Sequence, residues 1–229
     1  MKAMILAAGL GNRMRPLTLH TPKPLLEVGD KPLIVWHIEK LAAIGVNEIV
    51  INTAWLGEKL VEALGDGSQF GVKILWSHEG EGLETAGGII NALPLLGGQP
   101  FILVNGDVWT TMDFAPLLTV ELGENLAHLV LVQNPPQHPQ GDFSMAEGKA
   151  YTFDQSVQGE NLTFSGVSLI DPKMFVGLEV GKRPLAPLLK EAMLANQVAA
   201  SKLIGDWVDV GTPERLAALD AEIREGKYA

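Results

Sequence analysis

The sequence predicts an α/β fold built on a doubly wound, mixed and mostly parallel sheet, and three observations carry that reading. Short apolar runs alternate with segments of helical period through the first half of the chain. The runs are dominated by Ile, Val, Leu and Ala, as suits parallel strands buried on both faces. Glycine-containing turns follow two of them, after residues 3–8 and after 101–104, where the strands of such a sheet open towards ligands.

Residues 3–8 are small and apolar and read as a buried strand. Across 31–44, Ile34, Ile38 and Leu41 share one helical face, with Asp30 placed to cap the helix and Pro32 in its first turn. Strand 48–52, helix 56–64, strand 72–76, helix 86–93 and strand 101–104 continue the alternation. From about Asp113 the order loosens. Residues 128–132 read as a strand, 134–141 as a proline-rich loop, 162–170 as a strand, 186–196 as a helix, 198–204 as a strand and 213–225 as a helix. Without repeat, low-complexity tract or linker, residues 1–229 are expected to form a single domain.

Composition narrows the function. A chain of 229 residues with 47% hydrophobic and 19% charged residues can bury a full core. Its net charge of −10, from 27 acidic and 17 basic residues, argues against nucleic acid or an acidic membrane as partner. With no cysteine there is no disulfide, thiolate catalysis or cysteine zinc site. Residues 1–8 reach Gly9 too soon for a signal peptide, and no run of 18 apolar residues follows, so a cytoplasmic protein is expected.

Residues 6–27 read LAAGLGNRMRPLTLHTPKPLLE. Gly9 and Gly11 let a backbone turn present its N–H groups to an anion, next to Ala8 and Asn12. Arg13 and Arg15 can neutralise phosphate oxygens, and Lys23 is held in a stiff segment between Pro22 and Pro24. Gly9 and Gly11 alone would equally suit a turn carrying solvated basic residues, and neither a dinucleotide fingerprint nor a P-loop is completed. Two acidic sites stand apart from this loop. Asp107 ends the run VNGD after an apolar strand, where it suits either a hard divalent cation or a turn hydrogen bond. Asp209 lies in WVDVGTP, where Thr212 and Pro213 read as a helix start that leaves Asp209 itself unexplained, with Asp206 as a nearby decoy.

The segment from Leu6 to Leu25 resembles, position by position, the LAAGxGxRxxPLT and PKPL signature of the sugar-1-phosphate nucleotidylyltransferases. That resemblance implies a Rossmann-like nucleotidyltransferase fold with a nucleotide-binding N-terminal half and a sugar-binding C-terminal half. It implies that residues 9–13 wrap the triphosphate, that Arg13 and Lys23 steady the α-phosphate and leaving pyrophosphate, and that Asp107 and Asp209 hold Mg²⁺. In HEGEGLETAGGII it makes Glu79 and Thr85 candidates for the base edge, with Gly87 and Gly88 allowing close approach. A carboxylate there accepts from an N–H of either uracil or guanine. On the sugar side it points to Asn105, Gly141, Asp154, Glu160 and Ser165. The chain lacks the family's E-K-P lysine and has Ser165 where Asn is common. His138, in a loop beside proline, reads as solvated or as an acid/base.

Longer phrases, among them VNGDVW, AHLVLV, LTFSG, LAPLL and WVDVGTPERL, resemble one branch of the family more closely. These are the uridylyltransferases that act on N-acetylmuramate α-1-phosphate in cell-wall sugar recycling. The expected substrates are therefore UTP and that sugar 1-phosphate. The alternatives are a mannose-1-phosphate guanylyltransferase, a glucose-1-phosphate uridylyltransferase, or a silent nucleotide-sensing subunit. The last is disfavoured because Lys23 and both acids are present.

Overall fold

In the computed structural model, which describes residues 1–228, the strand β1 (Ala3–Leu6) lies inside the sheet with Ala3, Met4 and Ile5 fully buried. Its alternation sorts the core into two layers. Ala3 and Ile5 face α1 (Leu33–Ala43) and α2 (Gly57–Leu64), through Ile34, Ile38, Leu41, Leu60 and Leu64. Met4 faces α3 (Glu84–Leu96) and α4 (Ala186–Leu194), through Ile89, Ile90, Leu189 and Met193. Residues two apart on a strand share a face, so one short run serves both layers.

Four strands run parallel in the order β5 (Lys73–His78), β4 (Glu48–Thr53), β1 and β6 (Phe101–Asn105). Next to β6 the long β11 (Glu160–Ile170) is antiparallel, and the sheet continues through β8 (Ala127–Val132), β12 (Val198–Lys202), β10 (Lys149–Tyr151) and β9 (Phe143–Ala146). Only β10 and β11 oppose the direction of β1, so the sheet is mixed with most strands aligned. Between Phe164 and Ser168 a register shift interrupts the pairing of β11 with β8, and Gly166 there has φ of 81°.

Two small ribbons complete the fold. One pairs β2 (Glu27–Val28) with β3 (Lys31–Pro32). The other pairs β7 (Val108–Thr110) with β13 (Trp207–Asp209), ahead of the last helix α5 (Pro213–Arg224). Thr212 caps α5 by accepting from the Arg215 N–H, with Pro213 in the first turn. The expected capping role of Asp30 is not seen. Residues 31–32 belong to the ribbon, α1 starts at Leu33, and the Asp30 carboxylate takes both terminal nitrogens of Arg224. A local signal for a cap lost to a bidentate ion pair from the far end of the chain.

Candidate active site

The carboxyl ends of β1, β5 and β6 open into one cleft of about 380 Å³, lined by Ala8, Gly9, Lys23, Glu79, Thr85, Asn105, Asp107 and Lys182 among others. A second lobe of about 200 Å³ is walled by Pro135, Gln137, His138, Thr163, Phe164, Gly166, Trp207 and Asp209. Asn105 and Asp107 line both, so the two lobes meet at the end of β6.

At this junction Lys23 Nζ lies 2.8 Å from Asp107 Oδ2, with Lys23 itself only 8% exposed. A 3-10 turn at Lys23–Leu25, closed by Leu25 N–H to Pro22 O at 2.8 Å, holds the lysine backbone. The β7–β13 ribbon brings Asp209 to the same lobe, and Val210 N–H donates to Asp107 O at 3.0 Å. Asp209 Oδ2 accepts from Arg215 Nη1, a partner supplied by the first turn of α5. Beneath the ribbon, the buried His37 imidazole donates its Nε2–H to Val108 O at 2.8 Å. Burial pushes its pKa down to about 4, so it is a neutral support next to the Asp107 backbone.

The first turn behaves in two ways. A Cβ added at Gly9 would meet nothing within 4 Å, so the space beside Gly9 is open to a ligand. At Gly11, φ is 61° and a Cβ would come 2.8 Å from Thr18 Cγ2, while Thr18 Oγ1 donates to Gly11 O at 2.7 Å. Gly11 thus serves the loop's own closure, and it directs Asn12 and Arg13 to an exposed 3-10 turn outside the cleft lining.

At the far end of the cleft, Glu79 is already engaged: Oε1 accepts from Asn52 Nδ2 at 2.6 Å and Oε2 from Leu83 N–H at 2.8 Å. Asn52 also accepts from Ala7 N–H at 2.8 Å, tying the end of β1 to the 79–83 turn. The close approach expected at Gly87 and Gly88 is to protein, not ligand. A Cβ on Gly87 would sit 2.2 Å from Gly181 O, and one on Gly88 would sit 2.5 Å from Glu79 Oε1. Gly106 likewise makes room for Leu6 O, to which its own N–H donates.

On the sugar side four expected residues lie elsewhere. Ser165 is fully buried, its Oγ accepting from Val167 N–H, while its neighbours Thr163, Phe164 and Gly166 line the lobe. Gly141 is also buried, and a Cβ there would meet Asn134 Oδ1 at 2.5 Å and Leu162 O at 2.7 Å, so it packs the loop. Asp154 sits in an exposed 3-10 turn beside Lys190 of α4, hydrogen-bonded to Thr152. Glu160 pairs with Lys202 and Gln133 at the sheet rim. That Lys202 lines a neighbouring groove that shares Pro135 and Trp207 with the sugar lobe. His138 does face the lobe, with Nε2 at 3.0 Å from Asp142 Oδ1, and the other Asp142 oxygen accepts from Phe164 N–H.

Sequence reasoning missed Asn52, Trp207 and Lys182. Asn52 carried a usable signal, a polar residue ending an apolar strand as Asn105 does. Trp207 wedges the ribbon by donating Nε1–H to Ser165 O at 2.8 Å. Lys182 reaches the cleft only because a distant segment folds back over α3.

Among the described residues no helix is long and apolar enough to cross a membrane. Two carboxylates, with no third acid or histidine grouped beside them among the described residues, make an incomplete cation cage. Asp107 Oδ1 and Asp209 Oδ1 are hard oxygen donors outside the ion pairs just described. They suit a small divalent cation that takes its other ligands from phosphate and water.

Comparison with known proteins bears on the family and the fold. The chain is 54% identical to the N-acetylmuramate alpha-1-phosphate uridylyltransferase of Neisseria meningitidis serogroup B, over 96% of this chain and 97% of that one. It is 33% identical to the mannose-1-phosphate guanylyltransferase catalytic subunit beta of Dictyostelium discoideum, over 93% of this chain but 62% of that longer protein. The fold overlays a putative glucose-1-phosphate thymidylyltransferase from Bacillus anthracis with a TM-score of 0.86 at 23% identity, covering 98% of this chain and 96% of that one. The sequence model of the nucleotidyl transferase family matches residues 2–226, and with a two-lobed cleft joined at a lysine–aspartate pair, the chain belongs to that family.

Proposed function

We propose that this enzyme joins UTP to N-acetylmuramic acid α-1-phosphate, giving the UDP-sugar and pyrophosphate as a step in recycling cell-wall sugar. The observation that carries the reading is the junction itself: Asp107, paired with Lys23, belongs to both lobes. One lobe takes the triphosphate, the other the sugar phosphate, and the reacting phosphorus lies between. The 54% identity to a uridylyltransferase of that sugar phosphate supports the choice of substrates.

A phosphomonoester with a second pKa of roughly 6 is already largely dianionic at neutral pH, so its oxygen attacks the α-phosphorus without a general base. The bond from the α-phosphorus to the bridging oxygen breaks, and pyrophosphate leaves with the electron pair. Catalysis then rests on positioning and charge neutralisation. Lys23, nearly buried, keeps its ammonium aimed at the junction, because a stiff turn and Asp107 fix it before substrate arrives. Gly9 leaves room for phosphate oxygens against the backbone, and Arg13, exposed beyond Gly11, meets the outer phosphates of a ligand longer than the cleft. Asp107 and Asp209 would hold Mg²⁺, which when bound neutralises phosphate charge in the transition state. Asn105 lines both lobes and orients the incoming sugar phosphate, and Thr85 borders the base. Because UTP is an intracellular substrate, the reaction is placed in the cytoplasm.

Pyrophosphate release over a grid of UTP, GTP and dTTP against the 1-phosphates of N-acetylmuramic acid, glucose and mannose tests this directly. The largest kcat/KM is expected for UTP with the N-acetylmuramic acid phosphate. A clear maximum at GTP with mannose 1-phosphate would overturn the assignment.

A further inference from the structure

We infer that Lys182 reads the nucleotide base by donating from its ammonium to a ring carbonyl. It thereby selects uracil, with a carbonyl beside a ring N–H, against cytosine, with an amino group in that place. The inference rests on the uridylyltransferase reading above and deepens it.

Lys182 lines the far end of the nucleotide cleft, beside Thr85 and Glu84. Its backbone is held on both sides. Arg183 N–H donates to Leu83 O at 2.9 Å, and Gly87 N–H donates to Arg183 O at 3.1 Å. Gly181 packs so closely on Gly87 that a Cβ would meet its carbonyl at 2.2 Å. A segment that follows β11 by more than ten residues is therefore docked on the first turns of α3, with Lys182 between the two anchors. Nothing among the described residues pairs with the Lys182 ammonium, although acids line the same cleft.

The carboxylate that sequence alone nominates for the base edge is braced by the protein, each Glu79 oxygen accepting once, from Asn52 and from Leu83, and as an acceptor it cannot pair with a base carbonyl. Lys182, exposed at the mouth of the cleft, is the cation that can serve such a carbonyl from this end. An ammonium has three donors and no acceptor, so a carbonyl oxygen satisfies it and an amino group does not. Facing cytosine, donor meets donor, and both are left unpaired once the ligand displaces water.

The test measures equilibrium binding of UTP and CTP to the intact protein and to Lys182→Met and Lys182→Arg, by calorimetry. The wild type is expected to prefer UTP. In Lys182→Met, UTP affinity falls about tenfold or more, the scale of one charge-assisted hydrogen bond, while CTP affinity stays within about twofold. Lys182→Arg, which keeps the donors, retains most of the preference. Equal weakening of both nucleotides, as from a general phosphate contact, would overturn the inference, and so would unchanged UTP affinity. Turnover with the sugar phosphate separates this from the parent reading. A wild type active with UTP whose Lys182→Met variant keeps its preference refutes only the base contact. A wild type that binds UTP no better than CTP, yet turns UTP over with the N-acetylmuramic acid phosphate, likewise refutes only the base contact, whereas a turnover maximum at GTP with mannose 1-phosphate refutes the parent reading.

Discussion

Lys23→Met removes the ammonium at the junction of the lobes while keeping most of the apolar stem. The lysine side chain is 10% exposed and that of its partner Asp107 is 40% exposed. The stem's packing is retained, and the abandoned carboxylate still reaches water, so the fold should lose only about 1 kcal/mol, nearer the value for an exposed pair than for a buried one. For a chain of this length that is a fall of about 2–4 °C in Tm. Turnover should suffer more. Loss of one preorganised charge facing the leaving group costs roughly 10²–10³ in kcat, about 2.7–4 kcal/mol. The assay is kcat by continuous pyrophosphate release at saturating UTP and sugar phosphate, beside a thermal melt. A kcat within threefold of wild type, with the melt unchanged, would refute the argument that Lys23 neutralises charge in the transition state.

Three more expectations follow from the same geometry. Asp107→Asn and Asp209→Asn should each raise the magnesium concentration needed for half-maximal rate by at least tenfold, and an unchanged titration would remove that residue from the cation site. Gly87→Ala should drive Gly181 off α3, because its Cβ would lie 2.2 Å from a backbone oxygen. KM for UTP should rise with kcat little changed, whereas an unaltered KM would mean the 181–183 segment does not border the nucleotide. His37 has its pKa lowered by burial from 6.5 to about 4. Between those values the unfolded chain binds a proton that the folded chain refuses, so stability is intact above pH 6.5 and is lost as pH falls towards 4, by about 3 kcal/mol. His37→Gln should flatten that part of the pH–stability curve, and an equally steep curve would contradict the assignment.

The first half of the fold was legible because each strand and helix there is local: an apolar run, a turn, an amphipathic helix. The two ribbons were not. β2 and β3 are two residues long, and β7 finds β13 only through the closed fold, so neither leaves a periodic trace. That Gly9, Lys23, Asp107 and Asp209 line the cleft was legible because each belongs to a phrase that follows a strand or precedes a helix at the open end of the sheet. Glycines were read correctly as points of close approach, but one sequence does not tell what approaches. At Gly87, Gly88, Gly106 and Gly141 it is the protein itself. Glu79 and Ser165 misled for a related reason, since a polar residue in a motif is as often spent on bracing the loop as on ligand. Asp154 and Glu160 stand on the sugar side through the resemblance alone, and the fold puts Asp154 in an exposed turn and Glu160 against Lys202 and Gln133 at the sheet rim.

At the centre of the account is one in-line displacement across the Lys23–Asp107 junction, with no covalent enzyme intermediate. The most direct test uses a single diastereomer of UTP bearing sulfur on the α-phosphate and determines the configuration of the UDP-sugar formed. Inversion at phosphorus is predicted. Retention would mean two successive displacements through a nucleotidylated side chain, and would contradict it.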